Sequence, residues 1–519
     1  MTDAAPPTQP LALAPEAITP DPQIAERFSG RFRFSGSLRR RAVRGTLINA
    51  AFTVGVGALG LIKGFVLAGF LSRSDYGVWG VIAVSLSTLL WLKQAGIGDR
   101  FVQQDEADQE LAFQHAFTME LILTAGCVVL IAAAVPLLVL IYHLPELILP
   151  SAVIAGALLV AVFQAPLWIY YRRMEFARQR ALAAVDPVVG LIVSIALAVA
   201  GAGYWAFVGG LAAGACAASA AAMWQLPYKL RLRFDRRAAR GYLSFSGPLL
   251  IGGGATFVMA WSALIAAKLD LGVAAVGVIA LADNVASFSE RVDEVITGAL
   301  YPAICAVKDR IELLYESLVK SNRLALMWAV PFGIGLTLFS HDLVRFGIGE
   351  RWRSAIVVLQ LYGVAAALNH VGFNWTAYFR ALGRTRPIAT QGVAATVAFL
   401  VTGIPLLLIL GLRGFAIGIV AQSVAALVIR AYYLHQLFPG FGFLRHAARS
   451  FLPTVPAVAA VLVVRALHPG GVAGALGELA LYGVVTVAAT WSLESALLRE
   501  TLAQLLGVRA PAGPREAIS

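Results

Sequence analysis

The chain has 519 residues, of which 59% are hydrophobic and only 13% charged, with a formal net charge of +12 and three cysteines. A mean hydropathy of +0.77 is more apolar surface than a soluble domain can bury, so a soluble globular fold is excluded. Cys127, Cys216 and Cys305 stand isolated in or near apolar stretches and give neither a disulfide framework nor a zinc site.

Residues 1 to about 36 are rich in Pro, Ala, Thr and acidic residues without an apolar run, which predicts a disordered tail. The basic stretch Arg27 to Arg44 leads straight into a full-length apolar span, so no cleavable signal peptide is expected. A bilayer core of about 30 Å needs roughly 20 apolar residues per helical crossing. On that measure spans fall near 46–70, 77–97, 114–141, 148–171, 181–202 and 204–224. A second set falls near 243–269, 273–299, 318–340, 357–379, 388–410 and 414–434, and two more near 451–466 and 476–498. The reading is an all-α polytopic membrane protein of about fourteen transmembrane helices, because lipid tolerates only helices or closed barrels and no barrel pattern occurs. The expected organisation is a tail (1–40), an N-lobe (41–228), a basic linker (229–242), a C-lobe (243–440), a final helix pair (441–500) and a second tail (501–519).

The two sets of six resemble each other. Leu71 to Ala83 and Leu271 to Ala280 share their spacing, with Gly77 matched to Gly277, and the sixth span of each set opens alike at Gly203 and Gly414. Two pseudo-symmetric six-helix lobes are the physical basis of alternating access in many secondary transporters, so transport is the first functional expectation. With the N-terminus placed in the cytoplasm, 32 of the 41 Lys and Arg fall inside and 7 outside, with Lys63 and Arg291 deep within spans. Both termini are then cytoplasmic. The run Lys229 to Arg240 reads as a cytoplasmic linker resting on anionic headgroups rather than a nucleic-acid patch. Gly55 to Gly60 matches GxGxxG inside a span without a preceding strand, so it reads as a close-packing face, not a cofactor site. The same reading applies to Gly210 with Gly214 and Gly414 with Gly418. Pro136, Pro166, Pro187, Pro248, Pro331 and Pro405 mark expected kinks.

Leu71 to Gly77, then Ala95 to Gly98 and Phe101 to Gln104, resemble the "LSPxDFG … LGLGxALVQ" opening of the polysaccharide transporter family. These are Wzx-type oligosaccharide flippases of the multidrug/oligosaccharidyl-lipid/polysaccharide exporter superfamily. The second half is similar in kind at Leu300 to Pro302, Lys308 to Arg310, Pro331 to Gly333, Gly349 to Trp352 and Ala381 to Pro387. The resemblance departs in the middle of the seventh span, where Ser262 and Ala263 stand in place of an acidic residue of many relatives. It implies twelve core helices plus two, and movement of a polyprenyl-pyrophosphate-linked oligosaccharide from inner to outer leaflet of the bacterial cytoplasmic membrane. The implied partners are that substrate, membrane lipids and the polymerase or export machinery of surface polysaccharide synthesis; no nucleic acid, cofactor or catalysis is implied.

A charge at mid-bilayer is costly and faces a wet cavity or a partner. The eighth span carries Asp283, Ser287, Glu290, Arg291 and Glu294 on one helical face. That face reads either as a cavity-lining stripe or, at its lower end, as interfacial charges paired locally. Lys63 and Arg291, one from each lobe, are the expected pyrophosphate ligands, Arg through its planar fork and Lys as a movable point charge. Asn369, His370 and Asn374 in the tenth span, with Gln164, Gln391 and Gln422, can bind glycan hydroxyls or hydrogen-bond between helices. No metal site is expected, since His370 has no partner at ligand spacing. The rivals are a cation-coupled multidrug exporter, whose first-lobe cavity should be acidic, and a membrane glycan polymerase or ligase. The latter would carry a large outward loop, whereas the longest here is Ser340 to Ile356.

Overall fold

The computed structural model describes residues 36–93, 97–103, 106, 108–173, 175–236, 254–384, 386–467 and 470–506. Residues 1–35 of the expected N-terminal tail, Ala95, the end of the basic linker, Pro248 with the start of the seventh predicted span, and residues 507–519 lie outside the described residues, whereas residues 36–40 of that tail are helical. Among the described residues every regular element is helical, which satisfies backbone groups within each segment as lipid demands.

Taken in order, the main helices are α1 (Gly36–Phe70), α2 (Arg73–Lys93), α3 (Gln109–Tyr142), α4 (Pro145–Arg172), α5 (Phe176–Val199), α6 (Trp205–Trp224) and α7 (Gly254–Leu271). The second half continues with α8 (Val273–Thr297), α9 (Ile311–Asp342), α10 (Ala355–Ala381), α11 (Arg386–Leu410), α12 (Leu412–Leu437), α13 (Arg445–Leu467) and α14 (Val472–Leu506). Among the described residues twelve helices are long and apolar enough to cross a bilayer; α2 and α7 occupy predicted span positions but are not among the twelve. The chain is a multi-pass helical membrane protein.

Local chemistry sets the ends and the breaks. Asp108 caps α3 by accepting from the Leu111 amide at 3.0 Å, which satisfies one of the orphan donors of a helix start. Pro136, Pro187 and Pro331 lie inside continuous helices. Breaks come instead from short 3₁₀ turns at Val162–Gln164, just before Pro166, and at Ser287–Ser289 in α8. A five-residue π segment, Phe399–Gly403, precedes Pro405 in α11. In α10 the helix stops at His370, turns, and restarts at Trp375. Gly372 makes that turn with φ of +71°, a left-handed conformation that other residues adopt only under strain.

The repeated motif packs against itself. A Cβ at Gly77 would strike the Val273 carbonyl, and a Cβ at Gly277 would strike the Arg73 carbonyl; 73 is to 77 as 273 is to 277. The contact is therefore reciprocal, as in a twofold interface, and two glycines let the backbones of α2 and α8 touch. Around it one core cluster mixes both halves, with Leu67, Tyr76 and Val81 beside Val276, Leu281, Trp352 and Leu359. At the opposite end the cores separate. Ile97, Phe101, Phe113 and Ile169 form one cluster in the first half, and Ile304, Leu314, Trp375 and Tyr378 another in the second.

The segment read as the longest outward loop is the latch of the joined end. It folds as a π turn, Leu343–Ile348, and a 3₁₀ turn, Glu350–Trp352. Trp352 Nε1 donates to the Ala68 carbonyl at 2.8 Å, and Arg351 donates to the carbonyls of Ala68 and Gly69. These are the open carbonyls at the C-terminal end of α1, where cationic and N–H donors are favoured. Arg73 adds a hydrogen bond to Ser354 Oγ at 3.1 Å.

The start of the basic linker is hydrogen-bonded to α3: the Lys229 carbonyl accepts from Gln114 at 2.8 Å and the Arg233 amide donates to Thr118 Oγ1 at 2.8 Å. One expectation is corrected. In the Gly55 to Gly60 run only Gly57 packs closely, against Arg291 and Phe288; Gly55 and Gly60 face open space. Gly210, Gly214, Gly414 and Gly418 do make backbone-close contacts.

The last helix pair is tied to α9. Arg465 pairs with Asp342 and, at 2.6 Å, with Glu478, which is 5% exposed. Tyr482 donates to the Pro331 carbonyl at 2.7 Å. Arg465→Met leaves Glu478 buried without its cation, and removing one partner of a buried pair costs about 3–5 kcal/mol, less where solvent reaches it. The purified variant is expected to melt several degrees lower, and Arg465→Met with Glu478→Gln to recover most of the loss. An unchanged midpoint for the single variant would contradict this role.

Candidate functional site

The polar groups fall into a cluster in each half and a strip along α8 between them. In the first half Lys63 on α1 lies half-buried within electrostatic reach of Asp186 on α5. Gln164, at the 3₁₀ break of α4, lies beside the Asp186 carboxylate. Gly214 on α6 makes the room, since a Cβ there would meet Asp186 Oδ1. Four helices thus converge on one lysine and one carboxylate. Asp186 does not stand out in the polar pattern of the sequence. Its signal is nonetheless present, a lone carboxylate followed by proline within the apolar run Ala181 to Ala202.

On α8 the face toward α2 carries Val273, Val276, Gly277 and Ala280; Val278, Leu281 and Val285 are buried, while Asp283 and Asn284 are exposed. The helix has α2, α7 and α10 packed along it, and α1 approaches where Gly64 abuts Asn284. Asp283 is exposed, although protein is dense around its carboxyl. Tyr362 on α10 lies within electrostatic reach of Asp283. Arg291 packs its stem on Gly57 of α1. Gly57 and Lys63 are six residues apart, about 9 Å along a helix. Both predicted cations therefore border α1, and Lys63 lies within electrostatic reach of Asp186.

The lower part of α8 meets the break in α10. His370 is 2% exposed; its Nδ1 lies 2.6 Å from the Ala366 carbonyl, and its Nε2 lies 3.1 Å from Asp293 Oδ2 and 3.2 Å from the Ser289 carbonyl. Both ring nitrogens face acceptors, an arrangement that a doubly protonated imidazolium satisfies. Glu290, exposed on the next turn, lies within electrostatic reach of the same ring. Arg430 of α12, 6% exposed, caps the end of the upper α10 helix by donating to the carbonyls of Asn369 at 2.5 Å and Val371 at 2.7 Å, and Asp293 is within its electrostatic reach. In sequence Arg430 is one cation among several near span ends, and Asp293 falls off the polar face of an unbroken helix, so neither is marked there.

Of the tenth-span amides, Asn374 is a buried hydrogen-bonding group, 1% exposed, that donates to Ser321 Oγ at 2.6 Å. Asn369 contributes its backbone carbonyl to Arg430. Asn322 of α9 completes the junction, donating to the His370 carbonyl at 2.8 Å and accepting from the Gly372 amide at 3.1 Å. Such interhelical hydrogen bonds are worth about 1 kcal/mol or less each. Glu294 carries no described side-chain placement.

Chemically, the arrangement sets together an exposed Asp283 on α8, an Arg291 packed on α1 and a Lys63 within electrostatic reach of Asp186. No group of three or more metal-binding side chains occurs among the described residues.

The polysaccharide biosynthesis protein family matches residues 66–357. Over 112 residues the chain is 34% identical to the lipopolysaccharide biosynthesis protein WzxC of Escherichia coli (strain K12), covering 21% of this chain and 23% of that protein. The match thus spans about a quarter of that relative's length. Among solved structures the chain is similar to the lipid II flippase MurJ in an inward closed conformation, with TM-score 0.58 and 13% identity over 87% of this chain and 100% of that one. It is also similar to an inward-facing multidrug resistance MATE family transporter of the MOP superfamily, with TM-score 0.61 and 15% identity over 76% of this chain and 98% of that one. By fold it stands with these transporters, and by sequence the chain belongs to the polysaccharide biosynthesis protein family.

Proposed function

We propose that the chain is a flippase that carries a polyprenyl-pyrophosphate-linked oligosaccharide from the inner to the outer leaflet of the bacterial cytoplasmic membrane. All fourteen helices cross the bilayer in this reading, twelve as two six-helix lobes and two as a C-terminal pair. The observation that carries it is the core that joins both halves at one end and splits into separate clusters at the other, with charged groups in between. The excess of Lys and Arg in the loops at the split end makes that end cytoplasmic, so this is an inward-facing state. The relative WzxC and the flippase MurJ support the substrate class.

In this cycle the headgroup enters the cleft from the cytoplasm while the polyprenyl tail stays in lipid. Lys63 and Arg291 draw the pyrophosphate, and Asp283 contacts sugar or couples a cation. Rocking breaks the Gly77–Gly277 crossing and the Trp352 latch and opens the outer side. Moving one charge across the membrane potential supplies about 2.3 kcal/mol per 100 mV. The multidrug reading asks for an acidic first-half cavity. Here Asp186 lies within electrostatic reach of Lys63, whose charge offsets its own.

Two substitutions test the site. Lys63→Ala with Arg291→Ala is expected to cut surface-glycan export at least roughly tenfold, one charge-assisted phosphate contact being worth about 1.5–3 kcal/mol, with membrane insertion intact. Export at the unsubstituted level by this double variant would remove both residues from the mechanism. Asp283→Asn is expected to lower export and blunt its dependence on external pH; full export across the pH range would end the coupling role.

A further inference from the structure

Away from the cleft, a cavity of about 540 Å³ opens where the end of α4, the start of α5 and the end of α6 meet. Two guanidinium groups are fixed in its wall. Arg178 lies 4.5 Å over the Tyr170 ring and its Nε donates to Gln225 Oε1 at 2.8 Å. Arg173 lies 5.5 Å over the Tyr228 ring and donates to the Tyr228 hydroxyl at 3.2 Å. Tyr170 is itself held by donating to the Gln225 carbonyl. The opposing charge nearby is Glu175, whose Oε2 stands 3.8 Å from Arg178 Nη1, beyond hydrogen-bond distance. One carboxylate against two guanidiniums leaves net positive charge. Stacking and single-edge hydrogen bonds leave the remaining N–H groups of both forks available, in the planar geometry that matches phosphate oxygens.

The cavity is open, and its lining mixes these polar groups with Trp224, Leu226 and Pro227. Trp224, which lines it, is 89% exposed at the last residue of α6, and Tyr171, the residue after Tyr170, is 41% exposed. Exposed Trp and Tyr at span ends are the pattern of side chains that sit at the headgroup level of a bilayer. We propose that this cavity binds the headgroup of an anionic phospholipid of the surrounding membrane. The phosphate sits between Arg173 and Arg178, and the glycerol and first acyl carbons lie along Trp224. The site is separate from the Lys63 cluster and does not depend on the flippase reading.

The test uses the purified full chain in detergent micelles with brominated lipids, which quench tryptophan on contact. Brominated phosphatidylglycerol is expected to quench an emission component that the Trp224→Phe protein lacks, and brominated phosphatidylcholine to quench it far less. Arg173→Gln with Arg178→Gln is expected to raise the phosphatidylglycerol needed for half-quenching at least about tenfold, each cation near a headgroup being worth about 1 kcal/mol, while Arg173→Lys with Arg178→Lys keeps most of it. Equal quenching by the two lipids, or no change in the glutamine variant, overturns the proposal. So does farnesyl pyrophosphate displacing the brominated lipid at lower concentration than phosphatidylglycerol does, which would make the cavity a port for a pyrophosphate lipid. Should the glutamine variant fail to fold, the lipid selectivity and the Trp224→Phe difference decide alone.

Discussion

Gly277→Leu is expected to abolish export while leaving the chain inserted in the membrane. A Cβ at this position meets the Arg73 carbonyl and the Gly77 amide nitrogen, both backbone atoms, so no side-chain rotation relieves the clash. Overpacking costs about 1–3 kcal/mol where neighbours can shift, and a backbone obstacle puts this case at the upper end. At about 1.4 kcal/mol per factor of ten, the joined-end state then falls by roughly a hundredfold. The hydrogen bonds of Trp352 and Arg351 to Ala68 and Gly69 are expected to go with it. Labelling of a single cysteine placed at Ser354 by a membrane-impermeant maleimide checks the state, in a background with the native cysteines replaced. Faster labelling in Gly277→Leu is the expected result. Unchanged labelling with export retained would show that the crossing is not needed. Gly77→Leu, facing the Val273 carbonyl, should behave alike because the contact is reciprocal.

The second large effect is expected at Asp293→Leu, and it is one of stability. Asp293 is the carboxylate that faces His370 at 3.1 Å and lies within electrostatic reach of Arg430. Those two partners are 2% and 6% exposed. Deleting one member of a buried charged set costs about 3–5 kcal/mol, because the others remain desolvated without compensation. Asp293 keeps some solvent contact, with 22% of its side chain exposed, so the lower part of that range applies. The purified variant should melt well below the parent protein and accumulate poorly. Asp293→Asn, which retains an acceptor for His370, should lose less, and Asp293→Leu with His370→Leu should recover part of the loss, since apolar replacement of a buried pair is often neutral. An Asp293→Leu protein with the parent melting point would contradict the account of this junction.

Much of the fold is legible from residue order. Leu71 to Gly77 and Leu271 to Gly277 announce the repeat, and the structure adds what a string of residues cannot, that the two copies touch each other. Helix positions follow from apolar length, so the predicted spans and the observed helices agree closely for α3, α6 and α12. The polar groups are harder to read for a specific reason. A single helical period drawn from Asp283 onward leaves Asp293 off the eighth-span stripe. The 3₁₀ turn at Ser287–Ser289 has about three residues per turn instead of 3.6 and so rotates the remainder of α8 by roughly 60°. That rotation brings Asp293 toward His370. The sequence leaves Asn374 open between a glycan contact and an interhelical hydrogen bond; Gly372 breaks α10 just before it, and the Asn374 side chain donates to Ser321. Lys63 stands in the sequence without its counter-charge, since Asp186 lies more than a hundred residues away and only the packing of α1 on α5 brings them near.

The most direct test of flipping is leaflet-resolved analysis of lipid-linked oligosaccharide in host cells that lack this gene. The account predicts accumulation on the cytoplasmic leaflet with loss of the surface glycan, both reversed by the intact chain and not by Gly277→Leu. Oligosaccharide that still reaches the outer leaflet without this protein, or pools unchanged on both leaflets, would contradict it.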